Sequence, residues 1–380
     1  MDIYDRLKVK KLLNARGTLT TLGGSTMPPE VLEAMQEASR AYVNIDELLR
    51  KAGERIAELI GVDGAFITSG AAAALAVSAA ACMAGTNPAN IRRLPDSAGM
   101  RNEIIMLKCH RFGFDQAVRM AGARIVEAGL PERTLPEELE AALSEHTAAF
   151  LYLAEAETAG GSLPLPQITG LMNQRDIPVI VDAAAELPPV GNFKHYLAQG
   201  AALVIFSGGK DIQGPQSAGL ILGKKDLIAA CACNSCPNFS VGRPMKVDKE
   251  SICGLVKAVE LYLNQDFERE MRGWEQTVEV FIKQLSGVAG VKVRRGFPSP
   301  PGIQPVGIPR AYVELDRSRT GVSSEQVRKE LQEGDPGIEA DLHGDCLVLN
   351  PQLLTMKEAK AVARRLVAIL QPGIVKRRSR

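Results

Sequence analysis

The stretch Ser207-Gly208-Gly209-Lys210 offers a hydroxyl, an amine and two residues without side-chain bulk within four positions. It follows the apolar run Ala201-Ala-Leu-Val-Ile-Phe206, which reads as a strand, and precedes Gly214-Pro215-Gln216. A lysine at the mouth of a sheet, partly desolvated, holds its proton less tightly, so it can serve first as a nucleophile and later as a base. An aldehyde cofactor such as pyridoxal phosphate needs such an amine to form a Schiff base, and the serine three residues earlier could reach that ligand's phosphate. The same residue types also fit an exposed loop lysine after a strand, so this segment alone leaves both readings open.

Pro178-Val-Ile-Val-Asp182 reads as a short buried strand ending in a carboxylate, followed by Ala183-Ala184-Ala185. In open α/β sheets ligands sit beyond the carboxyl ends of strands. Asp182 and Lys210 each follow a strand, one helix-sized connection apart, which makes them neighbours at that edge. An aspartate held as an anion against a pyridine nitrogen keeps that nitrogen protonated, which lets the ring draw electrons from a carbanion. A helix N-cap is the other role open to this aspartate.

Phe66-Ile67-Thr68-Ser69-Gly70-Ala71 reads as a strand turning into an Ala-rich helix over 71–84. Unpaired amides, the helix dipole and a serine hydroxyl converge at such a turn and favour a phosphate, although any strand-to-helix turn shares this look. The Ala-rich helix itself reads as core packing. His110 follows the strand-like Ile104-Ile-Met-Leu107, and its ring could stack on a flat cofactor or be a polar loop residue.

The order phosphate turn, ring-stacking residue, carboxylate, then serine and lysine resembles that of pyridoxal-phosphate enzymes with the aspartate-aminotransferase fold. Within that superfamily the chain is similar to the branch holding bacterial selenocysteine synthase and the D-glucosaminate-6-phosphate ammonia-lyase group. The residues that carry this are Asn14-Ala-Arg-Gly-Thr18, Leu22-Gly-Gly-Ser25, Thr68-Ser-Gly-Ala71, Val181-Asp-Ala-Ala184 with Pro188-Pro189, Ser207-Gly-Gly-Lys210 with Gly214-Pro-Gln216, and Gly242-Arg-Pro-Met-Lys-Val-Asp-Lys249. The similarity runs from about Asn14 to Asn350, nearly the whole chain.

The resemblance implies an α/β fold of pyridoxal-phosphate fold type I, a large domain with a mainly parallel sheet covered by helices and a smaller C-terminal α+β domain. It implies that Lys210 carries the cofactor and takes the α-proton, and that Asp182 pairs with the pyridine nitrogen. Ser69, Gly70, Ala71 and Ser207 would hold the phosphate, His110 would stack on one ring face, and Ala184 would pack on the other. Arg16 and Arg243 are the candidates for a substrate carboxylate or phosphate, since a guanidinium binds either group bidentately.

These groups must be positioned by an alternating chain. Residues 1–50 read as an arm and short helix, and 51–250 as the large cofactor-binding domain, with further strands at Phe150-Leu-Tyr-Leu153 and Ala218-Gly-Leu-Ile-Leu222. Residues 251–380 read as an interdomain helix, Lys249 to Gln284, leading to a small α+β domain. Its strands are Val291-Lys-Val-Arg294, Ala311-Tyr-Val-Glu-Leu315 and Cys346-Leu-Val-Leu349, and its helices begin at capping boxes at Ser323/Gln326 and Thr355/Glu358. The Pro/Gly-rich stretch Phe297 to Pro309 is expected to be a loop near the site, and the basic tail Lys376–Arg380 to be disordered.

A chain of 380 residues can bury two substantial cores, and a formal net charge of +1 gives no broad phosphate-binding surface, so nucleic acid is not an expected partner. The amino terminus is charged from Asp2 and lacks the apolar core of a signal peptide, and no apolar run is long enough to span a bilayer. Seven cysteines, an odd number, argue against a disulfide framework. These features imply a cytoplasmic enzyme. Cys231, Cys233 and Cys236 lack a nearby fourth ligand, so no metal is expected.

The expected activity is a pyridoxal-phosphate lyase that labilises the Cα proton of an amino acid, or of an amino-sugar acid phosphate, and expels a β-substituent with release of ammonia. A racemase, transaminase or cyclising enzyme would use nearly the same residues. A seryl-tRNA selenium transferase would need a basic face and an added amino-terminal domain, and the chain starts almost directly at Asn14-Ala-Arg-Gly. A silent scaffold is disfavoured by the presence of both Lys210 and Asp182. A homo-oligomer, at least a dimer, is implied by the resemblance.

Overall fold

Short, fully apolar runs alternating with helix-length segments build a seven-stranded sheet in the computed structural model, which describes residues 2–298 and 305–371. The chain divides into two units, one formed by Ser25–Gln265, the other by the chain up to Gly24, Asp266–Pro298 and the chain from Val306 onward. The division therefore falls at Gly24 and Gln265, and not at residues 50 and 250 as the sequence suggested.

Among the described residues twelve strands are formed: β1 (Leu12–Ala15), β2 (Gly64–Thr68), β3 (Glu103–Leu107), β4 (Arg124–Ala128), β5 (Thr147–Leu153), β6 (Val179–Asp182), β7 (Leu203–Ser207), β8 (Gly219–Gly223), β9 (Val291–Gly296), β10 (Arg310–Leu315), β11 (Gly337–His343) and β12 (Cys346–Leu349). The larger unit orders its sheet β2-β8-β7-β6-β5-β3-β4. β8 runs antiparallel to both β2 and β7, and every other pairing is parallel. As a result β2, β3, β5, β6 and β7 all end at one edge. β2, β3, β5, β6 and β8 are buried along their whole length, which is why they read as continuous apolar runs without polar alternation.

The helix Ala71–Ala84 follows β2, as its composition predicts, and nearly every residue from Ala73 on is buried. Small side chains let its backbone lie close to its neighbours, among them the helix Lys225–Cys233. The long helix expected over Lys249 to Gln284 is instead two helices, Lys249–Leu263 and Phe267–Leu285. Asp266 causes the break: its carboxylate accepts from the Arg269 amide at 2.9 Å and caps a new helix start.

The smaller unit orders its sheet β1-β11-β12-β10-β9. β1 pairs in parallel with β11, so the segment expected to be a free arm is an edge strand. One face of this sheet is packed by Val278, Phe281, Val327, Leu331, Val362 and Leu366 from three helices. Two of those helices begin at the predicted capping boxes, Ser323/Gln326 and Thr355/Glu358. The stretch Phe297 to Pro309 is described only at its two ends, and the tail Lys376–Arg380 lies outside the described residues. Among the described residues no helix is long and apolar enough to cross a membrane.

Candidate active site

The strand register places the sequence-predicted groups of the larger unit along the shared edge. Thr68 of β2 is opposite Gly219 of β8, and Gly219 is opposite Ser207 of β7, so the turn at Ser69-Gly70-Ala71 and the loop at Gly208–Lys210 flank one strand. On the other side of β7, Asp182 is opposite Ile205, and it also pairs with Leu153 of β5.

Gly70 caps the Ala-rich helix with φ of 91°, a conformation that favours glycine, and nothing lies within 4 Å of where a Cβ would sit. The first-turn amides of Ala71, Ala72 and Ala73 lack intrahelical partners and carry the positive end of the helix dipole. This turn is open from above and supported from below. At Gly219 a Cβ would lie 2.4 Å from the Gly70 carbonyl carbon and 2.5 Å from its oxygen. Gly219→Ala should therefore displace the turn and destabilise the protein by about 2 kcal/mol. Urea unfolding of the variant checks this, and an unchanged midpoint would show that the turn yields freely.

The lysine loop is fixed by its backbone. The Gly208 amide donates to Ala218 O at 2.8 Å, that of Gly214 to Gly208 O at 2.8 Å, and that of Ser25 to Gly209 O at 3.0 Å. Lys210 is half-buried, and burial lowers its affinity for a proton against the opposing pull of Asp182, Glu155 and Glu186. No ion pair within 4.0 Å joins Lys210 to Asp182 among the described residues, so they share a field without closing on each other. Asp182 is 6% exposed, and desolvation raises its pKa. The Ala184 amide, donating to Asp182 Oδ1 at 3.0 Å, favours the anion. Ala184 in turn accepts from the Ser207 amide at 3.4 Å, which joins the aspartate turn to the start of the lysine loop.

His110 needs a correction. Its ring is fully buried, edge-on to Tyr152 with centroids 4.6 Å apart. Nδ1 accepts from the Leu153 amide at 3.2 Å and Nε2 lies 2.9 Å from Ser162 Oγ. With no exposed face, this ring holds the end of β5 in place and is not set to stack on a ligand. Burial lowers its pKa from 6.5 to about 4. The unfolded chain binds a proton that the folded chain rejects, so this contribution to stability is full above pH 6.5 and is lost as pH falls toward 4. The loss is on the order of 3 kcal/mol. Unfolding free energies at about pH 7.5 and about pH 5 should differ by about 2 kcal/mol on this account, and His110→Gln should flatten the slope.

The two arginines are not brought to this edge by any contact of the larger unit. Arg243 is exposed, with Nη1 3.8 Å from Cys236 Sγ. Arg16 belongs to the smaller unit, where its Nε is 3.5 Å from Asp341 Oδ1. Sequence reading passed over Glu155 and Glu186, which both act on Lys210. Glu186 lies between Val181–Ala184 and Pro188-Pro189, and the apolar run around it is the signal of its burial. Among the described residues no group of three His, Cys, Asp or Glu side chains is arranged to hold a metal ion.

Open amides at a helix start, an aspartate and a lysine whose pKa burial lowers, along one edge, are the donor set that pyridoxal phosphate requires. Comparison with known proteins agrees. The family model SelA, L-seryl-tRNA selenium transferase, matches residues 12–273. A D-glucosaminate-6-phosphate ammonia lyase of Salmonella typhimurium is 33% identical over 97% of this chain and 98% of its own. A 5'-C-glycyluridine monooxygenase-decarboxylase of a Streptomyces species is 32% identical over 97% of this chain and 92% of its own. The solved structure of a D-glucosaminate-6-phosphate ammonia-lyase superposes with a TM-score of 0.85 at 31% identity, covering 98% of this chain and 99% of that one.

Proposed function

Since this chain belongs to the SelA family, we propose that it is a pyridoxal-phosphate-dependent ammonia-lyase acting on a β-hydroxy amino acid, with an amino-sugar acid phosphate as the substrate class suggested by the name of its 33%-identical relative. The observation that carries the reading is the half-buried Lys210, its pKa lowered by burial, on the same sheet edge as buried Asp182 and the open Gly70 turn. When bound, pyridoxal phosphate supplies an electron sink conjugated to the substrate's Cα.

The chain's own residues do the rest. Ser69, the amides of Gly70 and Ala71, and Ser207 would hold the phosphate, and Ala184 would pack against the ring. Asp182, kept dry and braced by the Ala184 amide, holds a proton on the pyridine nitrogen. Lys210 gives up its own proton readily because burial disfavours its charge, which suits it first to attack the aldehyde and then to accept the Cα proton. Arg243, exposed beside Cys236, is read as a grip on a substrate carboxylate or phosphate.

Location in the cytoplasm and assembly with a second copy belong to the same reading. Seven free cysteines support a reducing compartment. Exposure of the large apolar side chains of Tyr42, Phe114 and Phe239 supports contact with another chain.

The deciding assay incubates the loaded protein with a panel of amino acids and amino-sugar acid phosphates and follows ammonia and 2-oxo acid. The 32% identity to a monooxygenase-decarboxylase makes dissolved oxygen and carbon dioxide the further readouts. Equal release of ammonia and 2-oxo acid without oxygen uptake supports the lyase. Oxygen-dependent loss of carbon dioxide overturns it.

A further inference from the structure

A β-hydroxyl leaves readily only if its oxygen receives a proton as the bond breaks. Lys210 is committed to the Cα proton, and the carboxylate of Asp182 is engaged by the Ala184 amide at 3.0 Å. The turn after β6 carries one more carboxyl group at the same edge, that of Glu186, only 8% exposed. Its backbone is pinned: its amide donates to Ala183 O at 3.1 Å, and its carbonyl accepts from Asn192 Nδ2 at 2.6 Å. Among the described residues no hydrogen-bond donor reaches its side-chain oxygens.

The groups that face Glu186 come from each neighbouring segment. Glu155 and Glu157 lie on the turn after β5, Asp182 ends β6, Tyr196 belongs to the helix Asn192–Ala198, and Lys210 follows β7. Of these only Lys210 is cationic. Glu157 is exposed and Glu155 is half-exposed, so Glu186 is the most secluded of the glutamates beside the lysine.

We propose that Glu186 is the general acid that protonates the departing β-oxygen, an assignment that rests on the lyase reading above. Burial first, then the negative charges of Glu155 and Asp182, raise its pKa to about 7, so a large share of the group is uncharged acid at neutral pH. Loss of the charge on Lys210 when its amine is engaged removes the only opposing influence and favours the acid further.

The step balances within the substrate and these two residues. Lys210 takes the Cα proton, and the electron pair of that bond becomes the Cα–Cβ double bond. The Cβ–O bond breaks with its pair on oxygen, which takes the Glu186 proton and leaves as water. Lys210 returns its proton to Cβ, and water adds to the resulting carbon–nitrogen double bond of the free product. The nitrogen departs as ammonium, and the Glu186 carboxylate regains from solvent the proton that the substrate's ammonium group released on binding.

Serine and β-chloroalanine, tested on the loaded wild type and on Glu186→Gln, decide the matter, because chloride departs without a proton. The variant should lose about 10²-fold in kcat/KM on serine, and the loss should shrink to less than about tenfold on β-chloroalanine. Equal losses on both substrates overturn the assignment while leaving the lyase reading intact. Ammonia release by wild type from neither substrate strikes the lyase reading itself, and this assignment with it. Infrared titration gives a readout independent of turnover. A protonated-carboxyl stretch should vanish with a midpoint near pH 7 in wild type and be missing from Glu186→Gln, and its absence from wild type overturns the proposal.

Discussion

Lys210→Ala should fold like the parent, hold no pyridoxal phosphate covalently, and turn over substrate on the order of 10⁵-fold more slowly. Folding should survive because the loop is tied by the amides of Gly208, Gly214 and Ser25, none of which uses the lysine side chain. Removal of the amine relieves the cost of a half-buried cation but leaves Asp182 without its nearest counter-charge, so a small change in stability of either sign fits. Chemistry should not survive, since both the covalent attachment and the proton transfer fall on one atom. Borohydride treatment followed by mass spectrometry reads attachment directly. A pyridoxyl adduct that persists in the variant would move the attachment to another lysine and sink the assignment. Lys210→Arg separates charge from nucleophilicity, and it should be as inactive as the alanine variant.

Asp182→Asn should lower turnover by roughly 10³-fold while changing stability by no more than about 1 kcal/mol. The amide side chain has the carboxylate's shape, and its oxygen can still accept from Ala184, so the turn should keep its place. What disappears is the negative charge. A neutral partner cannot hold a proton on the pyridine nitrogen, and the electron demand on Cα falls with it. The loss should appear in kcat more than in KM, because the charge matters most when the C–H bond breaks. Turnover within about threefold of wild type would remove Asp182 from this role.

The site was legible where chemistry and chain order coincide. Asp182 and Lys210 could be paired from their places after two apolar strands, and Gly70 from the composition of the helix it starts. Register was not legible. That Thr68, Gly219 and Ser207 form one row depends on β8 entering between β2 and β7 in the opposite direction, and nothing local to Gly219–Gly223 announces its direction. β1 was taken for a free arm because its partner lies in β11, more than three hundred positions away, and four residues carry too little pattern to reveal a pairing at that range. His110 was misjudged for a related reason. Its burial comes from Tyr152 and Ser162 in a different segment, so the residues around it give no sign that the ring faces inward. Glu186 was missed because a glutamate between recognised motif residues reads as scenery until its neighbours from β5 and β7 are in place.

The reversed direction of β8 also sets when the site can exist during synthesis. The ribosome delivers β2 first and then β3 through β7, yet β2 has no partner in the sheet until Gly219–Gly223 emerges. While the residues between Thr68 and Gly219 are being made, the phosphate turn hangs from a strand with an open hydrogen-bonding edge, exposed to the wrong partners. The turn and the lysine loop are brought side by side in a single late event, when β8 slides between their strands. A chain stopped before Gly219 therefore lacks the strand with which Thr68 and Ser207 both pair, and its phosphate turn and lysine loop have no common neighbour.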